Sequence, residues 1–109
     1  MRVLVCGGRD FFGDVSCLSL LPISILIHGG AKGADTSAAR WARQHHVHCA
    51  QVTAYWDILG ASAGYARNSA MLFLQPQLCV AFPGGKGTAM MITLCRKSNI
   101  PVCEPYVNP

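Results

Sequence analysis

Three times in this chain a short apolar run ends directly in a cluster of glycines, and a helix-like segment follows. The runs are 2–6, 23–27 and 78–82. The first leads into Gly7, Gly8, Arg9 and Asp10. The second leads into residues 28–35, which include Gly29, Gly30, Ala31, Lys32, Gly33, Ala34 and Asp35. The third leads into Pro83, Gly84, Gly85, Lys86, Gly87 and Thr88. The runs lack the polar alternation of half-solvated strands, so they read as strands buried on both faces. Strands that alternate with helices form a parallel sheet with helices on either side. The expected fold is therefore α/β, a three-layer sandwich around a mostly parallel sheet of about five strands in the order 3-2-1-4-5. In such sheets ligands bind beyond the carboxyl ends of the strands, where the order reverses. That point falls between the first and fourth strands, at the turns 7–10 and 83–88.

The remaining elements follow from periodicity and breakers. A short helix is expected over 14–21, ended by Pro22. A second helix spans 34–46, with Ala38, Trp41, Ala42 and His45 on one face and Asp35 near its positive end. A third strand covers 47–53 and a loop covers 54–63. Helices cover 64–74 and 89–98, and a last short strand covers 101–103. With 109 residues, one domain is expected, large enough to hide roughly 65% of its unfolded surface. Hydrophobic residues at 51% exclude a disordered chain. Charged residues are only 13%, about half the usual share of roughly 25%, which points to self-association or a large ligand crevice. The net charge of +4 suits an anionic ligand without indicating DNA. No run is long enough for a membrane span or a signal peptide, so a cytoplasmic protein is expected. The six cysteines lack C-x-x-C spacing. Cys6, Cys79 and Cys103 lie in apolar runs and read as buried free thiols.

Glycine turns that open helices bring main-chain N–H groups to an anion, because the first N–H groups of a helix are unpaired. Residues 83–88 fit this best, with the Thr88 hydroxyl as an added donor. Tight geometry alone also selects glycine, but three such turns at one sheet edge favour phosphate binding. The spacing is not that of a P-loop, and no dinucleotide fingerprint follows the first strand. Arg9 and Arg67 are the cationic candidates, Arg67 being placed to fork onto a phosphate. Of the five acidic residues only Asp10 and Asp35 lie in the glycine turns. A carboxylate catalyst or ribose partner would come from these two; helix or turn capping is the alternative for each. Tyr55 and Trp56 could stack on a base or cover the core. His45, His46 and His48 lack a full ligand set, so no metal is expected. No cofactor is expected either.

The motifs at 5–11, 28–35, 60–71 (with Ala63, Gly64, Tyr65, Ala66, Arg67 and Asn68) and 81–88 occur in an order that resembles the YspA-like branch of the SLOG superfamily. Bacteria and their phages encode such proteins. The resemblance implies a Rossmann-like fold and binding of nucleotides or nucleotide-derived signals. It also implies homodimers or larger assemblies. The related LOG-type phosphoribohydrolases cleave the N-glycosidic bond of nucleoside 5'-monophosphates. They are similar to this chain at 83–88 and at Arg67. Their glutamate pair after the glycine motif is replaced here by Met90 and Met91, and a thioether cannot stabilise an oxocarbenium-like sugar as a carboxylate does.

The expected function is a nucleotide-binding sensor or sequestering module. Gly7, Gly8, Arg9, Gly30, Ala31, Gly33, Ala34, Arg67 and Asn68 would surround the ligand. Pro83, Gly84, Gly85, Gly87 and Thr88 would hold its phosphate. A hydrolase using Asp10 or Asp35 is the alternative. Single-strand DNA binding fits less well, because no basic stripe interleaves with aromatics.

Overall fold

A computed structural model describes residues 1–107, with the backbone alone at 56, 57 and 61. Its sheet has five strands, all parallel, in the order β3-β2-β1-β4-β5, as the sequence predicts. Strand β1 (Arg2–Cys6) is central. It pairs with β2 (Ile25–His28) on one side and β4 (Leu78–Ala81) on the other, with Leu4 opposite both Ile27 and Cys79. The edges are β3 (His48–Gln51) and β5 (Val102–Cys103).

The two faces carry separate cores. Val3, Val5, Leu26, Val80 and Phe82 pack against helix α1 (Ala34–Gln44) through Ala34, Ala38, Trp41 and Ala42. Leu4, Cys6, Ile27, Cys79 and Ala81 pack against α3 (Ala63–Leu72) and α4 (Lys86–Lys97) through Met71, Met91 and Cys95. Because β1 is covered on both faces, Val3, Leu4 and Val5 are each fully buried. That explains its unbroken apolar run.

Several predicted boundaries move. The helix expected over 14–21 is a 3₁₀ turn, Ser16–Leu20. It is entered by Asp14, whose carboxylate accepts bonds from the Ser16 N–H and hydroxyl, both at 2.8 Å. The loop expected over 54–63 contains the short helix α2 (Trp56–Leu59) and a 3₁₀ turn, Gly60–Ser62. Helix α4 starts at Lys86, three residues before the expected 89, so half of the predicted phosphate turn is helical. His45 is exposed rather than part of the buried stripe; it caps α1 and stacks on Trp41 at 4.6 Å. Cys6 and Cys79 are buried with sulfurs 3.8 Å apart, but Cys103 is exposed, because β5 is a two-residue edge strand. No described helix is long and apolar enough to cross a membrane.

Candidate functional site

A crevice of about 980 Å³ opens at the carboxyl ends of the strands, centred between β1 and β4. The fold builds it there because the turns after these strands are locked together. The Gly8 N–H donates to the Pro83 carbonyl at 2.8 Å, extending the parallel ladder past the strand ends. A side chain at Gly84 would overlap the Thr88 hydroxyl and approach the Gly8 nitrogen at 2.7 Å. A side chain at Gly7 would meet the Ala34 Cβ at 2.5 Å. A side chain at Gly8 would meet the Pro83 carbonyl oxygen at 2.9 Å, so all three glycines are required by close packing.

Gly85 and Gly87 differ. A Cβ at either would meet nothing within 4 Å. Both line the crevice at the start of α4. The Ala89 N–H closes the first helical turn onto the Gly85 carbonyl at 3.0 Å. The N–H groups of Lys86, Gly87 and Thr88 precede that bond, and no side chain caps the helix. The turn is thus an open donor set with space in front of it, the arrangement an anion needs.

Arg67 stands across the crevice on α3, with its side chain against the Gly29 backbone. Its Nε is buried and lacks a hydrogen-bond partner among the described residues. Asn68, beside it, is only 3% exposed, yet its Nδ2 reaches no closer than 3.5 Å to the Gly87 carbonyl. Both amide and guanidinium keep donor capacity facing the site. Four cationic side chains line the crevice (Arg9, Lys32, Arg67, Lys86) against two carboxylates, Asp10 and Asp35.

Asp35 is 6% exposed and sits in the first turn of α1. Its Oδ2 accepts the N–H groups of Gly29 at 3.0 Å and Ala31 at 3.2 Å. One oxygen is thus spent on shaping the turn after β2. Burial pushes its pKa above the ordinary value, opposed by the Ala31 bond, His28, the Gly29 bond and Arg67. His28 ends β2 and is buried; its Nδ1 accepts the Gly30 N–H at 3.0 Å. Burial lowers its pKa, with Asp35 opposing. The neutral ring therefore carries its proton on Nε2. Asp10 is exposed at the rim.

Most of the sequence-predicted residues line the crevice: Gly7, Gly8, Arg9, Asp10, Gly30, Ala31, Asp35, Arg67, Asn68, and Pro83, Gly84, Gly85, Gly87 and Thr88. Gly33 and Ala34 do not. They lie beneath it, where the Ala34 N–H donates to the Gly8 carbonyl at 3.1 Å. Tyr55 is exposed and stands outside the lining, and the Trp56 side chain falls outside the described residues. Three further lining residues are not among the expected ligand contacts. Phe11, stacked on Phe82 at 5.1 Å, forms part of the wall. Gln51 enters because β3 lies next to β2 in the sheet. Gly29 is where Arg67 rests. Both methionines reach the crevice lining, Met90 half-buried and Met91 1% exposed and packed in the core beneath it. Among the described residues no group of three potential ligands could hold a metal.

An all-parallel α/β sheet with a cationic, glycine-lined crevice at its switch point defines a Rossmann-like protein. The chain belongs to the YspA, cpYpsA-related SLOG family, whose model matches residues 1–58. It is similar to the Gene 61 protein of Mycobacterium phage D29, at 38% identity over 85 residues, covering 72% of this chain and 68% of that protein. No solved structure matches it.

Proposed function

We propose that the protein binds a nucleotide or nucleotide-derived ligand in this crevice, as a sensor or sequestering module. One observation carries the reading: the free N–H groups that open α4 share the crevice with the partnerless Nε of Arg67. A buried N–H without a partner costs about 1–3 kcal/mol, so its retention calls for an acceptor. A phosphate oxygen supplies one, and the helix terminus and four cations supply the charge complement. Membership of a SLOG family supports a nucleotide-type ligand over other anions. Met90 and Met91, together with the committed Oδ2 of Asp35, favour binding over glycosidic cleavage.

Thermal unfolding against a panel of nucleoside mono-, di- and triphosphates, ADP-ribose and cyclic nucleotides tests this. A ligand at 100 times its dissociation constant adds about 2.7 kcal/mol. For a domain of this size that raises the midpoint by roughly 10 °C or more. A flat response across the panel would refute the reading. Incubation of the stabilising nucleotide, with chromatography for free base, separates binding from hydrolysis.

Self-association belongs to the same proposal. The one charged residue of α3, Arg67, faces the crevice, so the outward surface of that helix has no charge and exposes Tyr65, with Phe73 following it. Light scattering at micromolar concentration is expected to give at least a dimeric mass, and a monomeric mass would contradict it.

A further inference from the structure

Beside the crevice lies a smaller groove of about 180 Å³, between α1 and the edge strand β3. Thr36, Arg40 and Arg43 form one wall, and His28 and Gln51 the other. Thr36, Arg40 and Arg43 are spaced four and three apart, which places them on a single stripe of α1. Gly30 and Gln51 line both cavities, so the groove continues the crevice along the carboxyl edge of the sheet.

The groove is cationic, with Asp35 the carboxylate that acts on His28. The ion pair among the described residues is Arg96–Glu104, and neither Arg40 nor Arg43 has a carboxylate partner there. His28 adds a second, independent feature. It is 4% exposed, its Nδ1 is engaged by the Gly30 N–H, and its Nε2–H has no acceptor among the described residues. A largely buried imidazole with an unengaged Nε2, lining the groove beside two guanidinium groups that have no carboxylate partner among the described residues, has the chemistry of an anion subsite. Two arginines match one phosphate rather than a phosphodiester chain.

We infer that this groove is a second anion subsite, and that the crevice takes a small ligand bearing two separated phosphate-type groups. One group lies at the N-terminus of α4. The other lies among Arg40, Arg43 and His28, on the far side of the switch point. This deepens the nucleotide-binding proposal and rests on it for the first group only.

The test is an NMR titration of the intact chain with inorganic phosphate, following backbone amides and arginine Nε–H signals. Two saturable sets are expected. The first comprises the amides of Lys86, Gly87 and Thr88 with Arg67. The second comprises Gly30, Arg40 and Arg43. In the double variant Arg40→Gln/Arg43→Gln the second set should vanish while the first persists. Both side chains are exposed, so the variant should fold, and its amide dispersion verifies that. Nucleoside 3',5'-bisphosphates and 5'-phosphorylated dinucleotides are then compared with the matching 5'-monophosphates. At least one should bind about tenfold tighter or better to the parent chain, with the advantage lost in the variant.

A parent chain that shows the first set alone, with no bisphosphate advantage, overturns this inference and leaves the proposed function standing. A second set without the first overturns the proposed function and not the groove. An oligonucleotide that binds tighter than every bisphosphate, through the same arginines, overturns the small-ligand assignment.

Discussion

Replacing Arg67 by methionine should strengthen the free protein and weaken its complex. In the free protein the Arg67 Nε is buried without a partner among the described residues, a cost of about 1–3 kcal/mol. Methionine keeps an unbranched stem against the Gly29 backbone and removes that donor. The opposing loss is the attraction between Arg67 and Asp35, which ranks last among the influences on the Asp35 carboxyl. A net gain of about 1 kcal/mol raises the midpoint by roughly 4–8 °C for a chain of this length. In the complex the variant forfeits a charge-assisted bond worth about 1.5–3 kcal/mol, or roughly 10- to 150-fold in affinity. Thermal unfolding of the free chain and a phosphate or nucleotide titration measure the two effects separately. Arg67→Lys, which keeps the charge but not the fork, should fall between parent and methionine in affinity. A free Arg67→Met protein that loses stability while binding as tightly as the parent would refute the reasoning. It would mean that Arg67 holds the fold and not a ligand.

Other consequences concern the surroundings of the site. Gly33 adopts φ +78°, and a side chain there would overlap the Gly8 carbonyl oxygen and meet that of Arg9 at 2.5 Å. Gly33→Ala should therefore lower the unfolding free energy by at least the roughly 1–2 kcal/mol of left-handed strain, read as a lower denaturant midpoint. His28 has a folded-state pKa below its ordinary 6.5, so the unfolded chain takes up the proton first as pH falls. Its contribution is complete above about 6.5 and drains away below it. Asp35, whose pKa is raised, acts in the opposite sense on approach to 3.8. Between pH 7.5 and 5.5 the parent should lose more stability than His28→Asn, and parallel profiles would contradict this. Met91→Glu should destabilise the protein by several kcal/mol, since it buries a carboxylate in the core. Met90→Glu, at the crevice, should be tolerated, as unfolding curves of the two variants would show.

The sheet was readable because its evidence is collective. Residues 3–6 are apolar throughout, and glycines follow each of three strands, so the sheet and its switch point are legible together. Positions that depend on a single neighbour were not readable. Gln51 is an ordinary polar residue until β3 is seen beside β2. Phe11 is only the last residue of a motif until its stacking on Phe82 places it in the wall. Turn composition concealed the first turn of α4, since Gly87 and Thr88 are poor helix formers that tertiary packing holds helical. Arg67 was legible as a cation in the right helix, whereas its partnerless Nε depends on the contact with Gly29.

Sequence also cannot say why a glycine is glycine, and here the answer divides one motif. Gly84 has no room for a methyl group, because the Thr88 hydroxyl and the Gly8 nitrogen already occupy that space. Gly87, three residues on, faces open space in the first turn of a helix. Alanine at 84 must push β1 and β4 apart at the crevice and should destabilise the free protein. Alanine at 87 should stabilise it by about 0.4–1 kcal/mol, through reduced freedom of the unfolded chain. The gain comes with a methyl group placed where an anion would meet the helix N-terminus. Gly87→Ala should therefore fold better and bind phosphate less tightly, as unfolding and titration on the same sample would reveal. If it binds as well as the parent, the open space before α4 is not where the ligand sits.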